Sequence, residues 1–516
     1  MPRHPASVQE ADVRGHVETL VRPGPPLPGV PGGWGRIGKD EATSARRMRE
    51  MTEGAADGRD RPLLLSVNQE GGRLNALDWP DTVQLPGNAA LGVAGSAELA
   101  ELAGAVIGRQ LRAVGLCWNL APVCDLDTVP STSAVSCRAF CADPVVAGRL
   151  AAAFVRGLQG ARVAATAKHF PGLGGVVADP HQRTPVVERL APGCLVPFEA
   201  VVGAGVASVM VGSHVVRELD SRPAFASARV IGLLRDGLGF RGVIVSENLS
   251  LPAVHGPLGG LAQAAVAAVA SGVDVVMLDS EISRGRQGPR TADGMRRRSA
   301  VVEALTHAVL EGRIDPARIT EAAGRVQALE GRFGWTPAKG RPRWRMANAQ
   351  AAHAAGHVAG ASVTVMRGQE LLPLAGDGQV VTLIRVPDHG QRRADSARHA
   401  PDLLPELLAE RTRVRAVQPG EPLPDDASTV VVYGYDTGPR PGGAGTAAAG
   451  TASRLAGGSV PVVQVAFGDP GDLAGSRAQV LVAAHSPHQA SAAAVVDLLT
   501  QGRTAGGRQR WGGRTP

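Results

Sequence analysis

From Leu63 to Leu278 the chain repeats one physical pattern: a short apolar run, a polar or glycine-rich turn, then a longer alanine-rich stretch with helical spacing. That is βα alternation. The runs Leu63–Val67, Gly115–Trp118, Val163–Ala167, Ser208–Val211, Val243–Val245 and Val273–Met277 are predominantly apolar, as strands buried on both faces of a parallel sheet are. A closed barrel and an open doubly wound sheet both fit this spacing. The barrel is favoured because polar residues follow nearly every run: Asn68-Gln69-Glu70, Asn119, Lys168-His169, Ser213-His214 and Ser246-Glu247-Asn248. Barrel enzymes build their sites at those strand ends. The predicted fold class is α/β, a TIM-type (β/α)8-like barrel followed by a smaller α/β sandwich domain.

Around Phe333–Met346 the text changes to Gly, Pro, Trp and Arg, which predicts a linker. The expected division is a barrel domain over 1–332, a linker over 333–346 and a second domain over 347–516. That domain carries apolar runs at Val380–Ile384, Val430–Val432, Val460–Ala466 and Val480–Ala484, separated by helical or Gly/Ala-rich stretches. Two segments read as solvated loops, the low-complexity Gly442–Ser453 and the arginine-rich Arg284–Arg298.

Composition narrows the function classes. With 44% hydrophobic and 20% charged residues over 516 positions, the chain can bury a core, and it contains no apolar run of the roughly 18 residues a spanning helix needs. The 54 basic residues give a net charge of +7, yet all except Lys39, Lys168 and Lys339 are arginines. Such a bias follows genome composition. Without a clustered patch and a reader motif it does not indicate nucleic acid, so neither nucleic acid nor membrane is expected as a partner. Five cysteines without C-x-x-C pairs argue against a disulfide scaffold or a zinc site. Met1 to Arg22 carries charges throughout and lacks a secretory apolar stretch, so the expected compartment is the cytoplasm.

Three segments carry chemistry. Lys168-His169-Phe170-Pro171-Gly172 presents a cation and an imidazole at a strand end, and its Gly/Pro-rich loop continues to Asp179-Pro180-His181. A carboxylate beside a histidine fixes its tautomer and stabilises its charged form, which prepares it for proton transfer. The buried strand Val243–Val245 delivers Glu247 to its carboxyl end. Asn68-Gln69-Glu70-Gly71-Gly72-Arg73 pairs polar side chains with glycines that permit a sharp turn.

These pieces, with Leu85–Gly92, Leu120–Asp125, Arg138–Phe140 before Asp143-Pro144, Val209-Met210-Val211 before Ser213-His214, and Gly239–Ser246, resemble the NagZ-like β-N-acetylglucosaminidases of glycoside hydrolase family 3. The likeness covers most of the first 330 residues, and the second domain resembles the sandwich that follows the barrel in many relatives. It implies a retaining β-N-acetylhexosaminidase acting on a terminal β-linked N-acetylglucosamine or related sugar. Glu247 occupies the nucleophile position, His181 with Asp179 the acid/base dyad, and Asn68, Arg138, Lys168 and His169 the sugar-binding positions. The implied partner is a small-molecule glycoside or amino sugar, with no metal or cofactor, since the covalent route needs only side chains. Oligomeric state is not legible.

The chain departs from that pattern inside the site. Glu247 stands where the family has aspartate and reaches roughly 1.5 Å further. Asn68 replaces an aspartate, Ala76 an arginine, Leu173 the second histidine of the K-H-F-P-G-H-G pattern, Pro180 the commoner serine, and Cys137 a polar or acidic residue. Two alternatives therefore stand beside hydrolysis: a transglycosidase or phosphorylase of altered substrate, and a catalytically degenerate sugar-binding or scaffold homologue.

Overall fold

The computed structural model of the chain describes residues 5–22, 34–37, 44–57, 61–128, 135–176, 183–278, 290–337, 343–374, 376, 378–387, 402–435 and 446–502. Its first half is organised by eight parallel strands. Trp34–Ile37, Leu64–Val67, Trp118–Asn119, Ala164–Phe170, Ser208–Val211, Val243–Asn248 and Val275–Met277 pair in chain order, and Val21–Arg22 adds beyond Val275–Met277. The two end strands, Val21–Arg22 and Trp34–Ile37, approach one another, which rolls the sheet into the expected barrel. Each of the six runs predicted as strands contributes to it, Gly115–Trp118 only through Trp118. Burial is continuous along Leu64–Val67, Ser208–Val211 and Val275–Met277, as apolar strands walled in by helices require.

The flanking helices are stopped and started by their own sequence. Ser96 caps Ala97–Ala113 by accepting from the Leu99 N–H, and Asp143 caps Pro144–Gly160 by accepting from Val145 and Val146, with proline at the first helical position. Among the described residues no single helix is long and apolar enough to cross a membrane.

The second half is a six-stranded sheet ordered Thr364–Arg367, Val480–Ala483, Val462–Ala466, Thr429–Gly434, Val380–Arg385, Arg413–Ala416, parallel except for its first edge. Alternation along Thr429–Gly434 sends Val431 and Tyr433 to one core and Val430 and Val432 to the other, so the sheet is packed on both faces. The helix Trp344–Ser362 joins the two halves. Its Trp344 ring lies 5.8 Å from Trp79, its Asn348 accepts from Gln110 at 2.8 Å, and Ala351, Ala354 and Val358 belong to the barrel's apolar core. In the span expected as a linker, Trp335 bridges to Leu63 and helix begins at Trp344; residues 338–342 lie outside the described residues.

Two loop expectations are corrected. Residues from Arg290 onward form the helix Arg290–Leu310, and Ala447–Leu455 is a helix capped by the Thr446 hydroxyl. Alanine favours helix, the Thr446 hydroxyl accepts from the Ala449 N–H, and Ala448 and Ala452 pack into a core of the second half, which is what a helix this short needs. Residues 284–289 and 442–445, the remainder of those loops, lie outside the described residues.

Candidate active site

The turn after the Leu64–Val67 strand is built around two glycines. Gly71 and Gly72 have φ of +82° and +61°, and a Cβ on Gly87 would lie 2.7 Å from Gly72 Cα, so backbone packs on backbone here. This brings Glu70 inward, where it is buried. Arg138 grips its carboxylate in bidentate fashion, Nε to Oε2 at 2.9 Å and Nη2 to Oε1 at 2.8 Å, while Lys168 Nζ lies 2.5 Å from Oε1. Burial pushes the carboxyl up, but Arg138 and then Lys168 outweigh it and hold Glu70 at about 2, below its ordinary 4.5. Lys168 Nζ also donates to Asn68 Oδ1 at 3.1 Å. Three of the predicted sugar-binding residues, Asn68, Arg138 and Lys168, are thus one network centred on Glu70.

His169, the fourth, follows Lys168 at the carboxyl end of its strand. Its Nδ1 is 2.7 Å from Asp125 Oδ2. Asp125 also accepts the His169 N–H at 3.2 Å and the Leu173 N–H at 2.7 Å. Its carboxyl is itself buried; His169 and these backbone donors override that burial and hold it below its ordinary value. A carboxylate can only accept, so Nδ1 carries the proton and Nε2 of a neutral His169 presents a lone pair.

Two strands along, Glu247 leaves Val243–Asn248 with Oε2 accepting from the backbone N–H of Ser213 at 3.1 Å and from its hydroxyl at 3.2 Å. Next to Ser213, His214 is fully buried, and neither ring nitrogen has a hydrogen-bond partner among the described residues. Burial drives its pKa down to about 4 against the pull of Asp125 and Glu247, so the ring is neutral. Those two carboxylates and His169 all act on it, which ties the Asp125–His169 side of the site to Glu247.

The dyad positions Asp179 and His181 lie outside the described residues, which stop at Val176 and resume at Arg183. The described base of that loop is firmly seated. Leu173 and Val176 form a small apolar cluster with Val123, Val135 and Ala139, and a Cβ on Gly174 would come within 1.8 Å of the Leu126 carbonyl. Leu173, at the position where the family pattern would place a second histidine, therefore serves packing. Cys137 sits beside Arg138 with its thiol pushed up to about 11, chiefly by burial.

Sequence reasoning missed Glu70, Asp125, Ser213 and His214 as site residues, although all four stand in the quoted segments at or near strand ends. It had no signal for the second domain's share. His488, beyond the Val480–Ala483 strand, contacts the Gly72 carbonyl through Nε2. Asn75 Nδ2 donates to the same carbonyl at 2.6 Å. Because a carbonyl only accepts, His488 is the Nε2–H tautomer there.

Comparison with known proteins agrees with this geometry. Residues 36–329 match the Glycosyl hydrolase family 3 N terminal domain. A beta-hexosaminidase of Stenotrophomonas maltophilia K279a is 34% identical over 250 residues, 46% of this chain and 74% of that protein. One from Pseudomonas aeruginosa LESB58 is 41% identical over 220 residues, 41% of this chain and 65% of its own length. Among solved structures, a glycoside hydrolase family 3 beta-N-acetylglucosaminidase from Paenibacillus sp. FPU-7 superposes with a TM-score of 0.79 at 26% identity, covering 96% of this chain and 98% of the other. A beta-glucoside phosphorylase shares the fold, with a TM-score of 0.76 at 19% identity, over 97% of this chain and 95% of its own. With more than half of its length matching that domain, and a barrel whose polar strand ends converge as described, the chain belongs to glycosyl hydrolase family 3.

Proposed function

We propose that the protein is a retaining glycoside hydrolase that releases a terminal β-linked N-acetylglucosamine or a related sugar through a covalent glycosyl-enzyme. The observation that carries this reading is Glu247: a carboxylate anchored through one oxygen at the barrel mouth, two strands from a pre-assembled set of polar residues. Glu247 Oε1 attacks the anomeric carbon, forming a C–O bond as the bond to the leaving oxygen breaks, and that oxygen takes a proton from His181. Water then gives its proton back to His181, adds to the anomeric carbon and frees Glu247. Asp179 orients the histidine in both steps. Arg138, Lys168, His169 and Asn68 hold the sugar, with Glu70 and Asp125 fixing the cations and the imidazole before substrate arrives.

The test is an activated aryl β-N-acetylglucosaminide within a panel of other aryl glycosides, recording the anomer of the first product and any adduct from a 2-fluoro sugar. Turnover with retention, an adduct on Glu247 and its loss in Glu247→Gln are expected. Calorimetric binding of the amino sugar with no turnover and no adduct overturns hydrolysis in favour of the sugar-binding alternative.

A further inference from the structure

The extra methylene of Glu247 raises a geometric question, because a displacement of about 1 Å in a reacting group costs on the order of 10²-fold in rate. The answer lies on the neighbouring strand. Ser246 pairs with Val211 in the parallel ladder, so Glu247 and Ser213 leave adjacent strands at nearly the same height. Ser213 is buried, and its backbone is held on both sides: Gly212 donates to the Phe170 carbonyl at 2.9 Å and accepts from Phe225 at 3.2 Å, and the His214 carbonyl accepts from Ala224 at 2.8 Å. Its two donors therefore point at Oε2 from a fixed frame. Hydrogen bonds to an ionised acceptor are the stronger kind, and two on one oxygen restrict the added torsion of the longer side chain.

We propose that Ser213 is a positioning residue matched to Glu247: it ties down Oε2 and so sets how far Oε1 extends into the barrel mouth. This rests on the reading of Glu247 as nucleophile. The backbone N–H is available with any residue except proline at position 213; the hydroxyl is the part written in the sequence, and it is what adapts the site to a glutamate.

The experiment uses the full chain, the aryl glycoside it turns over best, and the matching 2-fluoro sugar. Ser213→Ala, which keeps the N–H, lowers kcat by about tenfold with KM within about twofold, and the rate of trapping on Glu247 falls in parallel. Ser213→Thr, which keeps the hydroxyl, restores most of the loss. In a Glu247→Asp background Ser213→Ala changes the trapping rate by less than about twofold, because the shorter carboxylate no longer spans to the hydroxyl. Melting curves check folding, and Ser213→Cys carries the same comparison if the alanine variant melts early. Equal losses in both backgrounds, or none in the first, overturn the role of Ser213 and leave that of Glu247 intact. Turnover that survives Glu247→Gln overturns both.

Discussion

Glu70 binds two cations, and removing its charge exposes what it does. In Glu70→Gln, Arg138 and Lys168 face a neutral amide inside the protein. Breaking a buried pair of this kind costs about 3–5 kcal/mol. The variant is expected to melt earlier and, on the proposed function, to show a raised KM for aryl glycosides, since the side chains proposed to hold the sugar lose their anchor; melting curves and steady-state kinetics check this. The carboxyl titrates near 2 in the folded protein against an ordinary 4.5. Its contribution is therefore complete above about 4.5 and is lost as pH falls toward 2. Asn68, Lys168, His169 and Glu247 stood out in the sequence because charged or polar types at strand ends are what a barrel site uses, whereas Arg138, in the short turn Ser136–Arg138, entered only through the family resemblance. Glu70 and Asp125 were not singled out, because a sequence does not show which of several adjacent polar side chains turns inward to brace the others.

The strand ends are only as well placed as the loops behind them. Gly174 lies where the backbone passes so close to the Leu126 carbonyl that a methyl group cannot fit. Gly174→Ala is expected to displace the segment leading to Asp179 and His181, lowering kcat by about 10²-fold while calorimetric affinity for N-acetylglucosamine changes little. The secondary structure was readable where pattern and burial agree. Ser208–Val211 has the predicted bounds, whereas the run Gly115–Trp118 supplies only Trp118 to the sheet, where Asn119 joins it, because Gly115 and Leu116 are spent on the turn after the preceding helix. Ala447–Leu455 was misread because low complexity was given more weight than alanine's helix preference. The packing role of Leu173 could not be anticipated, since its partners Val123, Val135 and Ala139 come from elsewhere in the chain.

The two halves of the protein meet through charged and polar groups as well as apolar ones. Ser136 donates to Asp469 of the second domain at 3.2 Å, and Asp127 feels the same carboxylate. Burial, and then the charge of Asp469, push Asp127 up to about 7 from its ordinary 3.8. The unfolded chain gives up that proton near 3.8 and the folded one near 7, so Asp127 costs stability increasingly as pH rises through this window. Asp127→Asn is expected to melt above the wild type at pH 8, with the difference closing at pH 4; melting curves at pH 4, 6 and 8 decide it. None of this was legible, because contacts between Asp127 and Asp469, or Gly72 and His488, join positions hundreds of residues apart. The same is true of the barrel's seam. Val21–Arg22 emerges from the ribosome early, but its partner Val275–Met277 is made only after the other strands of the barrel. The nascent barrel therefore stays open-edged through most of its synthesis, and its last closure is a contact of very high sequence separation, the slow kind in any folding reaction.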